Sequence, residues 1–391
     1  MCSPLFITPP RPSLELGDIV RMHGKAYRLA HMLTPAQSAM LNQIEQCRTA
    51  ALGGHVDICD ECGYKSDPSY NSCRNRHCPK CQGSAATKWV LARTERLLPT
   101  HYFHVVFTLP AELRGLAMRN RTLVYNLIFS AASATLLELG KDPKRLGACL
   151  GFTMVLHTWA RDLSFHPHVH AIVSGGGLSP DGERWVTLPE QYLFPVEVMG
   201  ALFRGKFLAG LSEAHAKGAL DFGCDPVDPE AFPRLLKRLY SMNWNTYAKR
   251  PFGGPEQVIK YLGRYTHRVG ISNHRLESMD SAGNVTFRTK CGQKVTLTAD
   301  TFLGRFLQHV LPDRFVKIRH YGLLAPANVR TKLVRARALL SALAPTPLVP
   351  SPAPASDPVE SLAKSCPKCG ALMRPEPIMP TSTVSRPRGP P

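Results

Sequence analysis

Acidic residues are scarce in this chain and long apolar runs are missing. Its 391 residues carry 48 Lys plus Arg against 29 Asp plus Glu, a formal charge of +19. That imbalance disfavours a basic partner and points to a polyanion, nucleic acid first. The longest apolar candidate, Leu127 to Leu139, is too short and too broken by Ser and Glu to span a bilayer, so no membrane partner is expected. Met1 to Gly17 lacks the basic start and apolar core of a signal peptide. The expectation is a soluble, cytoplasmic, nucleoid-associated protein of two or three domains, whose 12 cysteines are thiols or metal ligands rather than disulfides.

Cysteine is plentiful, and its spacing is informative. Cys59-x-x-Cys62 and Cys78-x-x-Cys81 lie fifteen residues apart, which suits a structural Zn²⁺ held by four thiolates. Cys47, His55, Cys73 and His77 flank or separate these pairs and offer a second zinc set, against the alternative of unligated thiols and surface histidines. Arg74, Arg76, Lys80 and Lys88 make the module basic, as a DNA-gripping surface would be, although such ribbons also serve as staples. Cys366-Pro367-Lys368-Cys369-Gly370 reads as half a zinc knuckle with no second pair nearby, either a remnant or a ligand pair. Cys2, Cys149, Cys224 and Cys291 have no ligand spacing and are assigned to packing.

Helices are expected at Leu14 to Met22 and Thr34 to Cys47, the second capped by Thr34 before Pro35. With the zinc module they make a first domain, 13–98. From Thr100 the texture changes to strand, helix, and then several strands: His101 to Thr108, about Ala111 to Leu139 with one break admitted, Phe152 to Trp159 paired with His168 to Val173, and Arg184 to Leu188. Pro195 to His215 and Pro229 to Ala248 read as helices, the latter setting Tyr240, Trp244 and Tyr247 on one face, for core packing in preference to stacking on unpaired bases. Val269 to Leu276 and Asn284 to Leu297 read as strands, and Ala299 to Val310 as a helix capped near Thr298 or Asp300. The fold class is α+β: a zinc-ribbon module, then antiparallel sheet packed with helices over 99–340. Prolines crowd the stretch from Pro345 onward, so 341–391 is expected to be a disordered tail.

Two patterns carry chemistry. Alternation through His168-Val169-His170 puts both imidazoles on one strand face and Val169 on the other, and paired neutral imidazoles suit a divalent metal. Glu256 to Arg268 reads as a helix with Tyr261, Tyr265, Arg264 and Arg268 on one face. A tyrosine that attacks a phosphodiester needs guanidiniums to offset phosphate charge and favour the phenolate. Strand and helix together point to metal-assisted tyrosine attack on a phosphodiester. Between Arg314 and Arg337 seven Lys or Arg stand against Asp313, a run suited to following a phosphate backbone.

His168-Val169-His170 resembles the His-hydrophobic-His motif of the HUH endonucleases, and Tyr261 with Tyr265 resembles their two-tyrosine subclass. The wording is closer to the rolling-circle transposases of the insertion-sequence-ninety-one family, through Asn71 to Gln82, His166 to His170, and Ala248-Lys249-Arg250-Pro251-Phe252 onward to Arg268. The resemblance spans about Asp18 to Val334. It implies an HUH-endonuclease-like sheet with the histidines on a central strand, and a transposase that nicks and joins single-stranded DNA at element ends, and in target DNA, through a 5′-phosphotyrosine. His168 and His170 would hold Mg²⁺ or Mn²⁺. For the third ligand Gln257 is preferred, one turn before Tyr261; His267 points away on the helical wheel and His157 sits on the neighbouring strand. Arg74, Arg76, Lys249, Arg250, Arg264 and Arg268 are the candidate DNA contacts. Family members often carry a longer basic hairpin near Arg288 to Lys294, which this chain shortens. A plasmid replication initiator or relaxase would use the same chemistry, and a non-catalytic zinc-ribbon DNA-binding protein would use none of it.

Overall fold

The computed structural model describes residues 12–81, 96–223, 228–252, 270–289, 291–343 and 364–381. The chain divides into two compact units that interleave in sequence: 1–83 with 271–307 and 346–391, and 84–270 with 308–345. The sequence reading groups 271–307 with the strands before it, whereas the structure packs that segment with the N-terminal helices.

In the first unit α1 (Leu16–Ala30) runs beyond the expected Met22, because Leu16, Ile19, Val20 and Tyr27 fall on one apolar stripe. Glu15 and Asp18 close a reciprocal capping box at its start. Thr34 caps α2 (Pro35–Gln46), accepting from the Gln37 N–H with Pro35 in the first turn. The segment 271–307 forms a meander of β8 (Leu276–Met279), β9 (Asn284–Arg288) and β10 (Lys294–Thr298), followed by α7 (Ala299–Leu307). Among the described residues of that stretch, from 270 on, no strand forms before Leu276; Asn273–Arg275 is a 3-10 turn instead, and the Asn273 side-chain oxygen accepts from the Leu16 N–H. Phe302, Leu303 and Phe306 bury one face of α7, and Phe302 meets Phe287 edge to face.

A second sheet of the first unit holds β1 (Gly54–Ile58) between β2 (Ser69–Tyr70) and β12 (Arg374–Ile378). Residues 364–381 of the proline-rich tail are thus ordered, with Gly54 paired to Ile378 and Ile58 to Arg374. Pro375 and Pro377 alternate with Glu376, so their missing N–H groups fall on the outer edge, where no ladder bond is needed.

The second unit is built on one antiparallel sheet in the order β11 (Ile318–Gly322), β4 (Cys149–Trp159), β5 (Phe165–Leu178), β3 (Tyr102–Thr108), β7 (Thr246–Phe252), with β6 (Trp185–Thr187) on β5. Along β5, Val169, Ala171 and Val173 enter the core while His168 and His170 lie on the opposite, half-buried face. At the end of β5 a side chain on Gly175 would lie 2.3 Å from the His101 ring, so the glycine lets the strand pass.

α4 (Arg121–Lys141) packs Val124, Tyr125, Ile128, Phe129 and Leu136 into this core with α5 (Val196–Ala216). Length and apolarity alone would let α4 cross a membrane, but an all-round apolar helix is equally what a core requires. The admitted break before it is real: Asn120 separates α3 (Arg114–Arg119) from α4, bonding the Leu116 carbonyl and both backbone groups of Asp221.

One expected helix is half strand. α6 (Ala231–Ser241) stops short of Ala248, and the chain re-enters the sheet as β7 beside β3. Trp244 is the pivot: it packs on Phe203 and Phe207 and donates its indole N–H to the Leu239 carbonyl. Tyr240 and Tyr247, the supposed companions of Trp244, are exposed.

Candidate active site and metal centres

The β4–β5 hairpin brings three imidazoles together. His157 stands directly opposite His168, and Val155 opposite His170, so alternation turns His157, His168 and His170 to a common face. One ring nitrogen from each lies within 4.8 Å of the others. His157 is buried and stacks on Trp159 at 4.5 Å, which holds its ring plane.

Hydrogen bonds set the tautomers. A carbonyl can only accept, so His168 donates its Nδ1–H to the His166 carbonyl at 2.7 Å, leaving Nε2 as the lone-pair nitrogen. Nδ1 of His170 lies 2.8 Å from Nε2 of His104 on β3, the type of outer partner that fixes a ligating ring. Burial pushes His168 down to about 4, so the ring is neutral at pH 7 and able to bind a cation. Neutral nitrogen donors on two central strands therefore fit a divalent metal. Of the two ions expected, Mn²⁺ is the better match, since Mg²⁺ gives up its waters reluctantly and prefers oxygen. His104 escaped the sequence reading; its signal is the alternation of His104 with the core residues Phe103 and Val105 along a strand, which acquires meaning only with the β3–β5 register.

Tyr261, Tyr265, Gln257, His267, Arg264 and Arg268 lie outside the described residues, as does the side chain of Arg250. β7, the strand that leads into that segment, pairs Lys249 with His104, one strand from the histidines.

The cysteines regroup. Cys47, at the end of α2, joins Cys73, Cys78 and Cys81 in one buried set with sulfurs 3.5 to 3.7 Å apart in the closest pairs. A tetrahedral zinc with bonds of about 2.3 Å sets its sulfurs roughly 3.8 Å apart, so the spacing fits zinc and is far beyond a disulfide. Hydrogen bonds from Cys47, Cys73 and Cys78 hold the Cys81 thiol far below its usual range, while Cys47 and its neighbours push Cys78 far above it. Four thiols in one pocket cannot all ionise without a cation to share the charge.

Cys59 and Cys62 are not with Cys78 and Cys81, as the spacing implied. Their partners are Cys366 and Cys369. Nor do His55 and His77 join any such group among the described residues: His55 lies 3.7 Å from Asp57, and the His77 N–H donates to the Asn75 side chain. Sequence spacing could not choose among cysteine pairs whose partner is some 300 positions away. Around the first set Arg74 is exposed and Arg76 half-buried, whereas Lys80 is tied to Glu15 at 2.5 Å.

Residues 19–109 match the family model described as "Transposase zinc-binding domain", and residues 151–332 match the one described as "Putative transposase". The chain is 46% identical over 374 residues to "Putative transposase y4qJ" of Sinorhizobium fredii, covering 92% of this chain and 94% of that one. It is 29% identical over 286 residues to "Transposase for insertion sequence element IS801" of Pseudomonas savastanoi pv. phaseolicola, covering 68% of this chain and 65% of the relative. No solved structure matches.

Proposed function

The chain belongs to the insertion-sequence-ninety-one (IS91) family of transposases, DNA-cleaving and strand-transferring enzymes with a structural zinc domain, and from that membership we propose that it works as a two-tyrosine HUH endonuclease on single-stranded DNA. The observation that carries this reading is the cluster of His157, His168 and His170 on adjacent strands, with His168 locked in the tautomer that offers Nε2. In this reading those three residues hold Mg²⁺ or Mn²⁺, and the third ligand is His157 rather than Gln257. The ion, when bound, would polarise the scissile phosphate.

Tyr261 or Tyr265 supplies the nucleophile. Its phenolic oxygen forms a bond to phosphorus as the bond from phosphorus to the 3′ oxygen breaks; the phenol proton leaves to solvent and the departing 3′ oxygen is protonated. The product is a 5′-phosphotyrosine and a free 3′ hydroxyl, which conserves the bond for rejoining to an element end or a target strand. Arg264 and Arg268 would offset phosphate charge beside the phenols, and Arg74, Arg76, Lys249 and Arg250 would hold the strand. Such work places the protein with the DNA of the cytoplasm.

The test uses single strands carrying an element end, labelled at either terminus, on a denaturing gel. Wild type with Mn²⁺ should shift only the 5′-phosphate fragment with protein; EDTA should abolish cleavage and spare binding. A Tyr261→Phe/Tyr265→Phe protein should bind DNA and form no adduct. An adduct in the double variant removes both tyrosines from the mechanism, and cleavage after thorough chelation removes the histidines.

A further inference from the structure

We propose that Cys59, Cys62, Cys366 and Cys369 bind a second zinc ion, with ligands drawn from opposite ends of the chain, and that this ion is a releasable clasp on the C-terminal segment. The pairs build matching knuckles. Each reads Cys-x-x-Cys-Gly, with the glycine at positive φ, +69° at Gly63 and +78° at Gly370. In each, the glycine N–H donates to the carbonyl of the first cysteine, Gly63 to Cys59 and Gly370 to Cys366. In each, the first cysteine's N–H reaches the carbonyl five residues on, Tyr64 and Ala371 respectively. The knuckles face one another across sulfur distances of 3.4 Å (Cys59 to Cys369) and 3.6 Å (Cys62 to Cys366), and all four sulfurs lie within 4.8 Å. That is tetrahedral thiolate spacing for zinc, whose sulfurs stand roughly 3.8 Å apart. The Lys368 N–H also donates to the Cys366 sulfur at 3.4 Å, which favours thiolate there.

The surroundings are complementary. Lys364 pairs with Asp57 at 2.7 Å, Arg374 with Asp60 at 2.9 Å, and Lys368 lies over the Tyr64 ring, so bases of the tail meet acids and an aromatic of the first knuckle. The apolar contribution is small: among the described residues the local cluster is Cys59, Cys366 and Met373, with Tyr64 and Ala371 beside them. Such a mini-core cannot hold β12 on β1 without help, so metal binding and strand docking are linked. Cys59 and Cys369 stand 310 positions apart, and a clip closing so long a loop removes much entropy from the open chain.

The two centres differ in access. All four cysteines of the Cys47 set are buried, whereas Cys62 and Cys369 are exposed, so a chelator or oxidant reaches the second ion first. The experiment is elemental analysis of the full chain joined to hydrogen exchange on Arg374–Ile378. Wild type should carry two zinc ions, and Cys366→Ser/Cys369→Ser one, with the remaining ion certifying that the N-terminal module is folded. Cys62→Ser, with the tail cysteines intact, should show the same single ion. A mild chelator should take one ion from wild type at least about tenfold faster than the other, and amide protection across the strand should fall in step. Equal zinc in wild type and the double variant, one ion in wild type, or unchanged protection of the strand after the first ion leaves would each overturn the clasp.

Discussion

At the residue, the proposed third metal ligand would decide how the site responds to metal. A ligand on β4 is preset by the sheet, whereas Gln257 would arrive only with the tyrosine segment. His157→Ala should therefore raise the Mn²⁺ concentration for half-maximal nicking by at least about tenfold and weaken Mn²⁺ binding in the absence of DNA by a similar factor. Gln257→Ala should leave DNA-free binding unchanged. The reverse pattern, read by calorimetry and by the nicking titration, would restore the glutamine. His168 and His170 are legible in sequence because alternation alone puts them on one face. His157 is not, since its place depends on hairpin register: β4 and β5 shift register between His157 and Trp159, and Leu163 in the connection holds φ +65°. Sequence alternation gives a face but says nothing of which residue stands across the ladder.

At the element, that connection is held by His309, just beyond α7. Its Nε2–H donates to the Leu163 carbonyl at 3.0 Å, so Nδ1 must accept from the Thr158 hydroxyl at 3.2 Å. Burial holds the ring down at about 4 against an ordinary 6.5. Between those values the unfolded chain binds a proton that the folded one does not, so stability rises with pH there. The stabilisation is complete above pH 6.5 and is lost as pH falls toward 4, a difference of roughly 3 kcal/mol for a shift of this size. Urea unfolding of wild type should weaken over that window, and His309→Gln, which keeps one donor and one acceptor, should weaken less by about that amount. Parallel pH slopes would show that the ring is not the titrating group. Other elements were legible to differing degrees. The hairpin, α2 and α5 follow from periodicity and capping, whereas α6 and β7 read in sequence as one helix because Tyr240, Trp244 and Tyr247 happen to keep helical spacing. Trp244 alone was core; its bond to the Leu239 carbonyl ends the helix that spacing would have continued.

At the scale of the molecule, the division into units was the least legible feature. The first unit collects three separate segments, and no composition boundary marks 271–307 as belonging with α1. The tail hid its strand because proline content argues for disorder, while an edge strand tolerates proline on its outer side. Charge was legible at once, but not its use. Of the run from Arg314 to Arg337, Arg319 lies 4.2 Å over the Phe129 ring and bonds Asn126, Arg335 pairs with Glu183 at 2.9 Å, and Arg337 donates to the Leu97 carbonyl. A net charge of +19 therefore overstates the phosphates that the protein can neutralise. Each phosphate contact on a single strand steepens the fall of log K with log salt by about 0.7. Arg264→Gln/Arg268→Gln should flatten that slope by roughly 1.4 and weaken binding alike on matched and unmatched sequences. Arg319→Gln should leave the slope as it is and lower the unfolding midpoint instead, since its guanidinium is spent on Phe129 and Asn126 of α4. Fluorescence anisotropy across a salt series, paired with urea unfolding of the same proteins, separates the two. A slope untouched by the first pair would take those arginines off the DNA, and a slope flattened by Arg319→Gln would return the basic run to it.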